Sequence, residues 1–189
     1  MKAQILLNEL LEHGVLLHTW GLGEAKTFEH LLLEIDNGEV SIRSNGNGKL
    51  VWESRAVAVR VTCRIRGFLW LLVEGQQVFI DGRTRTRPWV KELNVSVIEK
   101  LHRNELPDEA SAKRALNEEL TIPKNEIIEF WNKHPVVRVG PLPSQSYPGL
   151  VCEFDMYRFE WEMNPRLWNP DGYVEIQTDK STHFVWEKL

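Results

Sequence analysis

Cysteine is scarce in this chain. Cys63 and Cys152 are the two present, 89 positions apart. Two thiols cannot by themselves form a thiolate zinc site or a disulfide scaffold, and they read as reduced core residues of a cytoplasmic protein. Long apolar runs are missing as well. The longest, Phe68 to Val73, falls far short of the ~20 residues a membrane helix needs, so a membrane is not expected as a partner. Asn8-Glu9 interrupts the opening Ile5-Leu6-Leu7, which argues against a secretory leader. With 12 glycines and 9 prolines in 189 residues, the composition excludes fibrous and low-complexity classes. Neither sign of charge dominates: 23 Lys and Arg face 27 Asp and Glu, for a net charge of -4. That balance gives no electrostatic footprint for nucleic acid. No Gly-x-Ser-x-Gly elbow, Walker loop or dinucleotide fingerprint is present, and the six histidines are scattered.

What is present is a globular composition, 42% hydrophobic and 26% charged, enough to build a core. Ile5, Leu6, Glu9, Leu10 and His13 recur at helical spacing, with Gly14 as the C-cap. Phe28 to Ile35 and Val40 to Ile42 read as two strands of a hairpin across Asp36-Asn37-Gly38. Residues 1–53 are therefore expected to form a helix and β-hairpin extension, and a candidate homodimer contact. From Ala56 the chain reads as strands: Val57, Val59, Val61 and Cys63 alternate with Ala58, Arg60, Thr62 and Arg64. Phe68 to Glu74, Gln77 to Ile80 and Val95 to Ile98 follow. A second helix is expected from Pro107, with Asp108 and Glu109 in its first turn and Ala112, Leu116 and Leu120 on its buried side. The last third is strand-rich. The apolar alternation of Leu150 to Met156 changes phase before Tyr157 to Met163, as a β-bulge would require, and Val174 to Trp186 forms a hairpin. The class expected is α+β.

The most informative segment is Glu99 to Ile122. Arg114 and Glu118, four apart, share a helix face and can pair, and Glu119 projects about 100° further round. Two adjacent carboxylates can share a hard cation such as Mg²⁺; they can equally be a solvated surface with a weak ion pair.

These residues resemble a degenerate Nudix box, the loop-helix-loop of the Nudix hydrolase superfamily. Arg114, Leu116, Glu118, Glu119 and Ile122 stand in the spacing of its Arg-Glu-apolar-any-Glu-Glu-any-Gly-apolar core. Glu105 matches the first Glu, and Glu99 occupies the Gly position, with five residues between them. Eight residues rather than seven separate Glu105 from Arg114, Ala115 stands where the core has its first Glu, and Thr121 replaces the second Gly. The resemblance spans roughly Ala56 to Leu189. It implies a Nudix-like α/β/α sandwich with a mixed sheet over residues 54–189. It also implies Mg²⁺ or Mn²⁺ on Glu118 and Glu119, Arg114 orienting the acidic cluster, and a nucleotide-like or other diphosphate ligand. In that family the cation neutralises phosphate oxygens and activates a water. With Ala115 at the usual base position, the base must come from elsewhere or hydrolysis is lost. Glu99 and Glu105, and further on Glu153 and Asp155, are the candidates. The expectation is a degenerate member that binds a diphosphate compound with weak or no hydrolysis; the alternative is an active Mg²⁺-dependent pyrophosphohydrolase with a base outside the box.

Arg83, Arg85 and Arg87 alternate with Thr84 and Thr86. An extended backbone would turn all three guanidiniums to one side, suited either to phosphate oxygens or to protecting a strand edge. Of the eight tryptophans, Trp89, Trp131, Trp161 and Trp168 are candidates to stack on a base, or to fill a core. Ser144 to Gly149 is a turn-rich loop that could also touch substrate.

Overall fold

The computed structural model describes residues 3–128 and 132–189. The chain runs through α1 (Ala3–Glu12), α2 (Phe28–Asp36), β1 (Val40–Ser44), β2 (Leu50–Ile65), β3 (Phe68–Phe79), β4 (Thr84–Arg85) and α3 (Pro88–Glu92). Next come β5 (Val97–Lys100), α4 (Glu109–Leu120), β6 (Asn132–Lys133), β7 (Val137–Pro143), β8 (Val151–Met163), β9 (Tyr173–Ile176) and β10 (Lys180–Lys188). This strand-rich arrangement with few helices is α+β, as expected. Among the described residues no helix is long and apolar enough to cross a membrane.

The chain divides into two compact units. Unit one gathers residues 1–56, 100–105 and 136–156; unit two gathers 57–99, 106–135 and 157–189.

In unit one, Leu6 and Leu10 of α1 and Leu31 of α2 are fully buried with Leu50, Trp52, Tyr147 and Leu150. Trp20 and Trp52 both tilt against Tyr147, and Trp52 meets Phe154 edge-on at 5.0 Å, a favoured aromatic geometry. β1 pairs antiparallel with the start of β2, Val40 opposite Ser54 and Ser44 opposite Leu50. The first strand expected of the N-terminal hairpin is a helix: Phe28 to Ile35 lies in α2. Phe28, Leu31, Leu32 and Ile35 follow the i, i+3, i+4, i+7 pattern, and this stripe meets the core. Thr27 caps the helix, its Oγ1 accepting from the His30 amide while His30 Nδ1 accepts from the Thr27 amide. The hairpin of this region is instead β1 with β2, across the Asn45 to Lys49 turn.

In unit two, β2 turns at Gly67 into β3, with Thr62 opposite Leu71 and Ile65 opposite Phe68. β3 pairs antiparallel with β10 and β4, and β10 with β9. The two runs expected at Phe68 to Ile80 are a single strand, β3, through Gly75. Val57, Val59, Val61 and Cys63 of β2 are buried with Leu72, Phe159, Trp161 and Phe184. The expected phase change along β8 is present: its buried side chains are Cys152 and Met156, then Phe159, Trp161 and Met163.

α4 begins at Glu109, two residues later than the proline suggested. Asp108 is its N-cap, accepting from the Ala110 and Ser111 amides at 2.9 and 3.1 Å. Its buried stripe is Ala112, Ala115, Leu116, Glu119 and Leu120, the i, i+3, i+4, i+7, i+8 positions of one helix face. Full burial of Leu116 and Leu120 contributes about 2 kcal/mol each. Glu119 is the acid on that stripe.

Candidate functional site: a buried acidic cluster beside α4

The helical repeat separates Glu118 from Glu119. Glu119, 8% exposed, lies on the core side of α4. Glu118 sits toward solvent, where its Oε2 accepts from Arg114 Nη1 at 2.6 Å. Arg114 also reaches Glu99 Oε1, at 3.4 Å. The spacing read from the sequence therefore does bring Glu99, Arg114 and Glu118 together.

Glu119 has other neighbours. α4 packs on β9, and Glu175 of that strand, 9% exposed, interacts with it. Burial comes first among the influences on Glu119, followed by the charges of Glu175 and Glu99; together they push its carboxyl up to about 10, against a weaker pull from Arg87. Glu99 is also raised, chiefly by burial, with Arg114 opposing. Buried acids without matching cations hold their protons, because an ionised group in a poorly solvated place costs several kcal/mol. Glu119 is accordingly protonated at neutral pH.

The floor of this region is polar across the sheet. Glu175 on β9 stands opposite Thr182 on β10, Thr182 opposite Gln77 on β3, and Gln77 opposite Arg85 on β4. Gln77 Nε2 donates to Thr182 Oγ1 at 3.4 Å, and Arg85 Nε to Gln77 Oε1 at 2.9 Å. Arg87 forks onto Glu74, its Nε 2.8 Å from Oε1 and its Nη2 on Oε2. Glu74 is almost wholly buried, its side chain 3% exposed. Arg83 instead turns to Asp81 at 2.6 Å. Each of the three arginines thus has a protein partner. Arg83 and Arg85 also lie over Phe79, and Arg87 over Trp89.

Glu105 belongs to unit one, where its Oε2 accepts from the His102 amide at 2.9 Å. Glu153 and Asp155 are also in unit one and are ion-paired with Arg138. Trp161 is core, 1% exposed, and Trp168 stacks on Trp186 at 4.2 Å. Trp131 lies outside the described residues. The Ser144 to Gly149 loop folds on itself, with Ser144 Oγ accepting from the Tyr147 amide at 3.0 Å, and buries Tyr147.

Sequence reasoning missed Glu175 and Glu74. The signal at Glu175 is inverted alternation in β9, where Val174 and Ile176 are exposed and the acid between them is buried.

No family model matches the chain, and no curated protein does. Two solved structures show a loose likeness. A C. elegans Ap4A hydrolase is 14% identical over 71% of this chain and 79% of that chain, at TM-score 0.36. A binary complex of a C. elegans Ap4A hydrolase is 16% identical over 71% and 77%, at TM-score 0.34. Overlap at that level decides neither fold nor chemistry.

The donor set is the remaining test of a metal. Hard divalent cations take carboxylate oxygens, and Glu99, Glu119 and Glu175 are the acids gathered beside α4, where Arg87 is already paired with Glu74 and Arg114 with Glu118 and Glu99. Among the described residues no three His, Cys, Asp or Glu side chains stand at metal-holding distances as they are. The proton on Glu119 is the group a cation would have to replace.

Proposed function

We propose that unit two is a Nudix-like domain of the α/β/α sandwich kind. In this reading it holds Mg²⁺ or Mn²⁺ at Glu119 and Glu118 with help from Glu99 and Glu175, and binds a nucleotide or other diphosphate compound with weak or no hydrolysis. The observation that carries this is the place of Glu119: a carboxyl on the buried stripe of α4, facing Glu175 and close to Glu99. A helix that only needed a core would have an apolar residue there, since an unpaired buried acid costs stability.

Bound, the cation would neutralise phosphate oxygens and lower the pKa of a coordinated water. Arg114 holds Glu118 and Glu99 in position, and Arg87, itself anchored by Glu74, supplies a fixed positive charge beside Glu119 and Glu175. Ala115 is fully buried and offers no proton acceptor, which supports weak or absent turnover. A second reading, active hydrolysis with a base outside the box, draws on Glu175 as a carboxylate beside Glu119.

Calorimetric titration with Mn²⁺ at pH 7 tests the site. Binding should release a proton, visible as a dependence of the observed heat on buffer ionisation enthalpy, and Glu119→Gln should abolish that release. Absence of Mn²⁺ binding by the wild type overturns both readings. With the metal site established, phosphate release from a panel of nucleoside diphosphate compounds separates them: fast turnover lost in Glu175→Gln favours the second, and metal-dependent binding without turnover the first.

A further inference from the structure

Unit one has a cleft of its own. Its volume is about 460 Å³, within the range of small-molecule sites. Ser41, Ser54, Arg55, Arg103, Arg138 and Glu153 are among the residues that line it. Most of its acids already have cations. Glu53 accepts from Arg43 at 2.6 Å and from Arg138 at 3.0 Å. Glu153 accepts from Arg43 at 2.8 Å and also from Arg138, which reaches Asp155 at 3.2 Å. Glu39, on the same wall, takes Asn37 Nδ2 at 3.0 Å and lies 3.9 Å from Lys100 Nζ.

Arg55 and Arg103 are different. Arg55 Nη2 reaches the Glu105 carbonyl at 3.5 Å, and Arg103 Nη2 the Ile35 carbonyl at 3.5 Å. Both contacts are at the outer limit of a hydrogen bond. Neither guanidinium has a carboxylate within 4.0 Å among the described residues. Each carries five N–H donors, so most of these have no acceptor among the described residues. Arg103 is also held in place. Its amide donates to the Asn37 carbonyl at 3.2 Å, and its Cβ lies 2.4 Å from where a Cβ on Gly38 would stand. With φ at +71°, Gly38 both makes the turn and lets Arg103 lie against the wall.

We infer that this cleft is a binding site for a phosphate-bearing anion, taken up by the guanidiniums of Arg55 and Arg103. A phosphate suits them better than a carboxylate, because its oxygens can serve two planar donor forks at once. The acids of the wall are already held by Arg43, Arg138 and Lys100, which leaves Arg55 and Arg103 as the lining cations with no carboxylate partner among the described residues. The site needs no metal, which separates it from the carboxylates beside α4.

Calorimetry on the full chain at low ionic strength with EDTA tests this, using orthophosphate, pyrophosphate and adenosine monophosphate as probes. Pyrophosphate should bind the wild type and Glu119→Gln equally. Arg55→Gln and Arg103→Gln should each weaken it about tenfold, the usual scale for a hydrogen bond to a charged group. Arg55→Lys and Arg103→Lys should fall between, because they keep the charge and lose the fork. Denaturation midpoints near the wild-type value establish that the variants are folded. Tighter binding of the monophosphate than of orthophosphate assigns the site to a nucleotide, and equal binding to the phosphate alone. No binding of any probe by the wild type in EDTA overturns the inference. So does binding unchanged in both Gln variants, or binding lost in Glu119→Gln.

Discussion

Glu119 of α4 faces Glu175 of β9, and both acids are more than nine-tenths buried. A pair of carboxyls in that position is comfortable only with a proton or a cation between them and their surroundings. The Glu119 carboxyl, held well above its ordinary value by burial and by Glu175, couples the stability of the fold to pH.

The sign follows from the raised carboxyl. Glu119 moves from an ordinary 4.5 to about 10 in the folded chain, so between those values the folded state binds a proton that the unfolded state has released. Stability of the metal-free protein should therefore fall as pH rises through that window, by roughly 1 kcal/mol per pH unit at the steepest. Urea denaturation in EDTA at pH 5.5, 7 and 8.5 measures this. Glu119→Gln should flatten the profile and be the more stable protein at pH 8.5; a wild-type profile that is flat or rises with pH would contradict the assignment.

Thr121 ends α4 in the left-handed region, at φ 56° and ψ 23°. A β-branched residue is strained there, and its hydroxyl bond to the Leu120 carbonyl at 2.7 Å offsets this in part. Thr121→Gly should stabilise the protein by about 1 kcal/mol, read as a higher denaturant midpoint with an unchanged slope. Glycine adopts this left-handed cap conformation without the strain a side chain meets there.

Ala115→Glu restores the box residue on paper. In the structure the Ala115 side chain is fully buried on the core stripe, so the substitution places a further acid where solvent does not reach. A loss of about 3 kcal/mol is expected, with no gain in phosphate release. Thermal melts alongside a phosphate-release assay decide it, and a stable, active variant would show that α4 can present this position to substrate.

Glu34, 7% exposed on α2, accepts from Lys26 and Lys100, each at 2.7 Å. Burial works against its ionisation, but the charges of Lys100 and Lys26 outweigh it and hold the carboxyl below its usual value. The stability this contributes is present above the unfolded value near 4.5 and is lost as pH falls through the folded one. Glu34→Gln takes a carboxylate at 2.7 Å from the half-buried Lys100 ammonium. It should cost about 3 kcal/mol at pH 7 and less at pH 3. An equal cost at both pH values would mean that packing, and not charge, is what Glu34 provides.

Periodicity alone was enough for α1, for α4 and its Arg114 to Glu118 pair, for the alternation of β2 and for the phase change along β8, because these depend on neighbours three, four or two positions away. It was not enough at Phe28 to Ile35. An apolar cluster that short satisfies both a strand and a helix, and the Thr27 cap together with burial against Leu6, Leu10 and Trp52 decided for the helix. The acidic cluster was half legible. Glu99, Arg114, Glu118 and Glu119 lie close together in the chain, whereas Glu175 arrives from a strand more than fifty residues later and is found only through pairing and register. The difference between Glu118 and Glu119 also belongs to the tertiary structure: adjacent residues on a helix diverge by about 100°, and the position of the core decides which of the two is buried. The same holds for Arg55 and Arg103, which share no motif and meet at one cleft through the packing of separate chain segments.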